Sequence, residues 1–482
     1  MLKIDERTRP WWTLAGACFG LFILMLDSTV VALALSSIRH DVDATSAGLQ
    51  WVMNGYLLVI TAFVVTGGRL GDMFGRKRLF LIGMALFALG SVVSATADDQ
   101  LTLICGRLVQ GLGAAPMLPL SLAIVCNVFP AEEQPRALGI WAGISALALG
   151  FGPLVGGGLV DLDWRLIFWI NLPIAFTGIA IVWRAAPEST DPGSGSHVDV
   201  PGLIALALGL TAIVLALIQA EDWSDSAVVG LAALGVALLY AFWRIEHRSS
   251  EPIVDFSLFR NGPYFGASAA AFALVGAYWS VMFFQPQYLQ DARGHSAVLS
   301  GLLIMPVTAP MIVVSPFSGR LIARFGSRAL MTAGMACGTA GLVVLTQIGP
   351  DSAYALLLAG YLPFGIALGL VYAPMSTAAM AAMPAEKVGI ASGVLAMDRV
   401  MAGTIGLAVT GAVFAALKAG GDGFSTAIGG STWVLVGLCA VGAALTWMFV
   451  RDPEHRGPDP AVAGEPPPEQ LHHHSHHRRM HL

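Results

Sequence analysis

Apolar residues run along this chain in long unbroken blocks, without the strict alternation of a half-buried strand, and polar residues collect in short clusters between the blocks. A block of about 20 residues is what an α-helix needs to cross the hydrocarbon of a bilayer. Fourteen such blocks are predicted, at 11–35, 49–68, 79–97, 101–128, 137–160, 165–184 and 201–219, then 227–243, 264–288, 297–318, 329–348, 353–374, 388–416 and 431–450. The pattern therefore predicts an all-α polytopic membrane protein. The first block is too long for the apolar stretch of a signal peptide and carries Asp27 in its interior, so it is read as an uncleaved span.

Composition agrees with the pattern. Of 482 residues 56% are hydrophobic and 12% charged, against about 25% charged in soluble domains, and the mean hydropathy is +0.72. Charge then orients the spans, because basic residues concentrate on the cytoplasmic side. With a cytoplasmic N-terminus, 20 of the 26 Lys and Arg fall in inner segments and four in outer loops. One missing span would invert every later loop, so this asymmetry supports the count of fourteen. Both termini are expected in the cytoplasm of a multi-pass plasma-membrane protein. The five cysteines all lie in apolar blocks without metal-ligand spacing, so neither a disulfide framework nor a metal site is expected.

The chain also repeats itself. "GRLGDMFGRKRLFLIGM" (Gly68–Met84) aligns without a gap on "GRLIARFGSRALMTAGM" (Gly319–Met335), each following the second span of a six-span set. Two parallel six-span halves are predicted, 11–184 and 264–450, with two inserted spans at 201–243 between them. The N-terminus (1–10) and the links 185–200 and 244–263 are expected to be cytoplasmic, and the Pro- and His-rich tail 451–482 to be disordered.

Five stretches carry chemistry. In "GRLGDMFGRKR", Gly68 and Gly75 permit a tight turn, Asp72 lies near a helix N-terminus that favours an anion, and Arg76, Lys77 and Arg78 are cytoplasmic cations. Arg107 sits early in the fourth span within "GRLVQGLG". The fifth span holds "GFGPLVGGG", whose small residues let helices approach and whose Pro153 can kink the span. Span 1 reads "LDSTVV" around Asp27, and the sixth contains "WRLIFWINLP".

Together these resemble the major facilitator superfamily, and within it the fourteen-span drug:proton antiporters. The resemblance covers about residues 11–450. It implies a fold of two six-helix bundles plus two inserted transmembrane helices. It also implies that Gly68, Asp72, Gly75 and Arg76–Arg78 form a cytoplasmic gating loop in which Asp72 helps hold the halves together. Arg107 is implied in proton coupling, and Gly152, Pro153, Gly156 and Gly157 are implied to form the motif of exporters rather than importers. Departures are Ala323 where the first loop has Asp72, Ala148 where the exporter motif often begins with Gly, and "VVALALS" in place of the usual "VVNVALP".

Asp27 and Asp398 are the acids inside spans. An ion in hydrocarbon is costly, about 2.5–3.5 kcal/mol at a helix centre, which favours an acid that a proton can neutralise. Asp27, Arg107 and Asp398 are accordingly the proton-coupling candidates, with snorkelling to an interface as the alternative for Asp27 and Arg107. Asp398 adjoins Arg399, but neighbours on a helix diverge by about 100°. Candidates for a lipophilic cavity wall are Met53, Asn54, Tyr56 and Met117 in the first half, with Gln285, Tyr288, Met305 and Met375 in the second.

The expected activity is proton-coupled efflux of lipophilic, often cationic compounds by a monomeric carrier, driven by the proton gradient without a cofactor and without nucleic-acid partners. A dedicated exporter of one metabolite or antibiotic, a proton-coupled importer and a non-transporting membrane sensor remain alternatives. No lysine follows a glycine, which excludes the phosphate-binding loop of an ATP-driven pump, and no G-x-S-x-G or H-E-x-x-H suggests a hydrolase.

Overall fold

The computed structural model describes residues 5–130, 133–190, 199–220, 223–249, 252–314, 317–383 and 388–451. The expected disordered tail with its histidines, and the middle of the 185–200 link, lie outside the described residues.

Fourteen helices long and apolar enough to cross a membrane occur among the described residues, as the apolar blocks predict. The first half comprises α1 (Arg9–Asp41), α2 (Ser46–Phe74), α3 (Arg76–Ala95), α4 (Gln100–Val128) and α5 (Gln134–Val160). Its sixth span is broken into a short α6 (Leu166–Trp169) and α7 (Asn171–Ala185). The inserted pair is α8 (Val200–Ile218) and α9 (Asp225–Glu246). The second half comprises α10 (Gly262–Gln287), α11 (Ala297–Val314), α12 (Ser318–Leu345), α13 (Tyr354–Ala381), α14 (Val388–Ala419) and α15 (Phe424–Phe449). Short polar side chains start several of them. Thr45 caps α2 by accepting from the Gly48 N–H at 3.0 Å, and Asp99 caps α4 by accepting from Thr102 N–H at 2.9 Å.

The main helix contacts recur between the two stretches that the sequence repeat relates. In the first half α1 packs on α5 and α7, α4 on α2 and α3, and α3 on α7. In the second half α10 packs on α14 and α15, α13 on α11 and α12, and α12 on α15. The aligned glycines also match in backbone. Gly75 has φ 114° and Gly326 has φ 78°. This left-handed region costs a residue with a Cβ, so the two turns from the second to the third span of each half need glycine at that place.

The halves meet along two symmetry-related seams, α5 against α11 and α2 against α14. The four exporter-motif residues of α5 divide between two neighbours. A Cβ on Gly152 would strike Thr29, and one on Gly156 would lie 2.9 Å from the Cα of Val30, so these two glycines seat α5 on α1. A Cβ on Gly157 would lie 2.6 Å from the Ala297 carbonyl and 2.9 Å from Val298 Cα, and the Pro153 carbonyl leaves no room for a Cβ on Gly301, so this side seats α5 on α11. The motif therefore lets one helix pack closely on its own bundle and on the other at once.

Hydrogen bonds join the halves at the end that the basic residues assign to the outside. Arg39 Nη1 pairs with Asp291 at 3.0 Å and Arg39 Nη2 donates to Gln287 at 2.8 Å. Gln290 donates to the Leu33 carbonyl at 3.0 Å, and the Asp161 carboxylate accepts from the Ala297 N–H, the first of α11, at 2.8 Å. The inserted helices are not a loose appendage, since α8 lies against both α2 and α14.

The obstruction at Gly157 is backbone, which cannot rotate away. Gly157→Leu is therefore expected to hold the outer ends apart. A Leu33→Cys reporter, buried in this structure, should label with an impermeant maleimide several-fold faster in the Gly157→Leu background. Equal labelling in both backgrounds would show that the α5–α11 contact does not close the outer side.

Candidate functional site

The first candidate acid lies inside the N-terminal bundle, at neither interface. Asp27 is 0% and Arg107 1% exposed, so neither side chain snorkels. Arg107 Nη1 binds Asp27 Oδ2 at 2.5 Å and also donates to Gln110 Oε1 at 2.8 Å. Gln110 stands one helical turn after Arg107, on the same face of α4, and its amide donates to Asp27 Oδ1 at 3.2 Å and to Ser91 Oγ at 2.8 Å. The break between α6 and α7 brings in Asn171, whose amide donates to Asp27 Oδ1 at 3.1 Å and to Ser91 at 3.3 Å. The guanidinium lies 4.2 Å from the centre of the Tyr56 ring, and its Nε donates to the Val52 carbonyl of α2 at 3.1 Å. Five helices thus converge on one ion pair.

This corrects the picture of Asp27 as a lone acid in hydrocarbon. Its charge is met by Arg107 and its oxygens accept from two amides, the arrangement a buried ion requires. Arg107 thus links Asp27 of α1 to the Val52 carbonyl of α2.

Asp398 in α14 belongs to a different environment. It is 6% exposed and accepts from Ser268 Oγ of α10 at 2.7 Å. Arg399 diverges from it as helix geometry requires, lying over Tyr372 at 5.2 Å and donating to Ser376 at 3.4 Å, both on α13.

The loop between α2 and α3 departs from expectation in its pairing. Asp72 accepts from Arg76 Nε at 2.7 Å, within its own loop. The N-terminus of α3 is capped instead by Glu188, which accepts from the N–H groups of Lys77 and Arg78 at 3.0 and 3.1 Å. Lys77 Nζ donates to the Trp183 carbonyl at 2.7 Å. These contacts tie the loop, Gly68 to Arg78, to the end of α7 in the same half. Among the described residues Asp72 pairs with Arg76 of its own loop and with no residue of the other half.

The cavity-wall candidates separate in the same way. Met117 packs at Gly20 of α1 and Gly83 of α3, inside the N-terminal bundle and away from the seam. Tyr56 serves Arg107. Met53 and Met375 are buried and Met305 is half-buried. Gln285 accepts from the Tyr361 hydroxyl at 2.6 Å, and Tyr288 donates to the Gly349 carbonyl at 2.8 Å. Asn54 is buried with neither amide atom hydrogen-bonded. It lies one turn from Gln50, which packs at Gly411 of α14, so Asn54 belongs to the α2 face turned to the second half.

Ser91, Asn171, Tyr361 and the Arg39–Asp291 pair were not among the sequence candidates. A signal existed for Asn171, a polar residue in an otherwise apolar stretch of "WRLIFWINLP". None marked Ser91, since isolated serines are common in apolar helices.

Comparison with known proteins follows from this geometry. The model of the Major Facilitator Superfamily matches residues 17–407. The multidrug resistance protein Stp of Mycobacterium tuberculosis is 36% identical, over 84% of this chain and 76% of that protein. The tetracenomycin C resistance and export protein of Streptomyces glaucescens is 31% identical over 85% and 77%, and the puromycin resistance protein pur8 of Streptomyces alboniger 30% over 92% of each. Among solved structures, a D-xylose-proton symporter superposes with a TM-score of 0.66 at 14% identity, covering 92% of this chain and 98% of that one, and so shares the fold.

Removing one partner of a buried pair strands the other charge. Arg107→Ala is expected to destabilise the detergent-solubilised protein by about 3–5 kcal/mol. The double variant Asp27→Asn/Arg107→Gln, which leaves no charge, should be distinctly more stable than Arg107→Ala in thermal unfolding. Equal stability of the two would mean that the ion pair does not bind the helices together.

Proposed function

The chain belongs to the Major Facilitator Superfamily, and we propose that it is a proton-driven exporter of lipophilic, often cationic, toxic compounds. It is a multi-pass membrane transporter and not an enzyme. The observation that supports the proton part is the buried Asp27–Arg107 pair, an acid inside the bundle with one ion-pair partner among the described residues. Export is supported by the resistance and export proteins among the relatives and by the exporter-motif residue Gly157, which seats α5 on α11.

In the proposed cycle a proton from outside neutralises Asp27 and releases Arg107. The Arg107 hold on the Val52 carbonyl then changes α2, which lies against α14 of the other half. The two bundles rock about the seams, and compound bound from the cytoplasmic side leaves to the outside. Each proton carried inward gains about 2.3 kcal/mol per 100 mV of membrane potential. Relatives named for single antibiotics, among them the puromycin resistance protein, support a second reading in which specificity is narrow.

Everted membrane vesicles with an imposed proton gradient test this. They are expected to accumulate ethidium, and Asp27→Asn, compared at equal membrane abundance, should reduce accumulation to the level of vesicles lacking the protein. Gradient-independent accumulation, or full activity of Asp27→Asn, would overturn the proton-coupled reading.

A further inference from the structure

A cavity of about 250 Å³ opens in the C-terminal bundle between α10, α14 and α15. No wall of it comes from the first half, so it is separate from the seam and from the Asp27 cluster. Asp398 and Ser268 form its polar end, Phe265 and Phe272 line it, and Val441 stands at its rim. Val441 and Met448, two turns apart on α15, are both 57% exposed, which places the mouth on the face that meets lipid. Ser268 is six residues into α10, about 9 Å along its axis. The basic-residue orientation therefore sets the cavity in the cytoplasmic leaflet.

The charge at the closed end is unusual. Among the described residues Asp398 makes no ion pair, and its one hydrogen bond is from the Ser268 hydroxyl. Arg399 faces α13, as described. Tyr264, a neighbouring ionisable group on α10, donates its hydroxyl to the Ala391 carbonyl at 2.9 Å. The walls supplied by α15 are apolar. A recess with an acid at its base and aromatic rings along its sides attracts cations and offers little to anions. Its volume is below the roughly 300–1,000 Å³ of sites that enclose drug-sized ligands. It suits the head of a cation, with an alkyl chain left in the bilayer through the lateral mouth.

We propose that this cavity is a lateral docking site for the head of a lipophilic organic cation arriving from the inner leaflet, with Asp398 as its counterion. The inference deepens the export reading and rests on it for the direction of arrival.

Saturable binding of radiolabelled benzyldimethyldodecylammonium to the full-length protein in phosphatidylcholine nanodiscs, measured over empty nanodiscs, tests the site. Asp398→Asn is expected to weaken binding at least tenfold. Ala269→Trp, which fills the cavity from α10 and keeps the acid, should do the same, whereas Asp398→Glu should retain binding. A neutral dodecyl benzyl ether should not compete. Monodisperse elution of each variant guards against misfolding. Failure of the wild type to bind the probe, or undiminished binding by both Asp398→Asn and Ala269→Trp, overturns the proposal. Transport of the same probe in everted vesicles is scored separately. Cavity-dependent binding without gradient-driven transport sinks export and leaves the site, and transport by variants with unaltered binding sinks the site and leaves export.

Discussion

Hydrocarbon offers no water to a carboxylate, so placing Asp27 in α1 dictates what its neighbours must carry. α4 supplies the opposite charge and an amide, α7 a second amide, α3 the hydroxyl that both amides share, and α2 a carbonyl and an aromatic face for the guanidinium. Apolar side chains alone would bind these helices weakly to one another, since lipid tails are as apolar as they are. The ion pair gives the N-terminal bundle a specific register, because a helix that slid by one residue would leave an ion or an amide without its partner. α5 in turn approaches α1 closely through Gly152 and Gly156, at Thr29 and Val30, within one turn of Asp27.

The two halves use this principle differently. Their helices pack in the same pairs, yet the acid of the second half pairs with a serine while its neighbouring arginine turns to another helix. The repeat preserved the scaffold and let the charges diverge. One bundle holds its acid closed around a cation of its own, and the other leaves its acid at the end of a recess.

Topology was readable because it depends on local properties: block length, the side on which basic residues collect, and the glycines at Gly75 and Gly326 that a left-handed turn demands. The residue types at the site were readable for the same reason, since a charge inside an apolar block stands out. Partnership was not. The approach of Arg107 to Asp27 spans 80 positions and depends on how α4 lies against α1. The capping of α3 by Glu188 arises because a link that reads as flexible returns to the helix start. Likewise the exporter glycines read as close packing, but their division between α1 and α11 needs the rotation of α5 about its own axis.

The Asp161 carboxylate that finishes the N-terminus of α11 puts a scale on the outer seal. A helix cap of this kind contributes about 0.5–2 kcal/mol, and a partly exposed ion pair such as Arg39–Asp291 about 0–1 kcal/mol. These polar links together are comparable to the work done by the membrane field on one elementary charge, about 2.3 kcal/mol per 100 mV. A seal held by links this weak can part for a free energy of a few kcal/mol, the scale of one helix cap and one exposed ion pair.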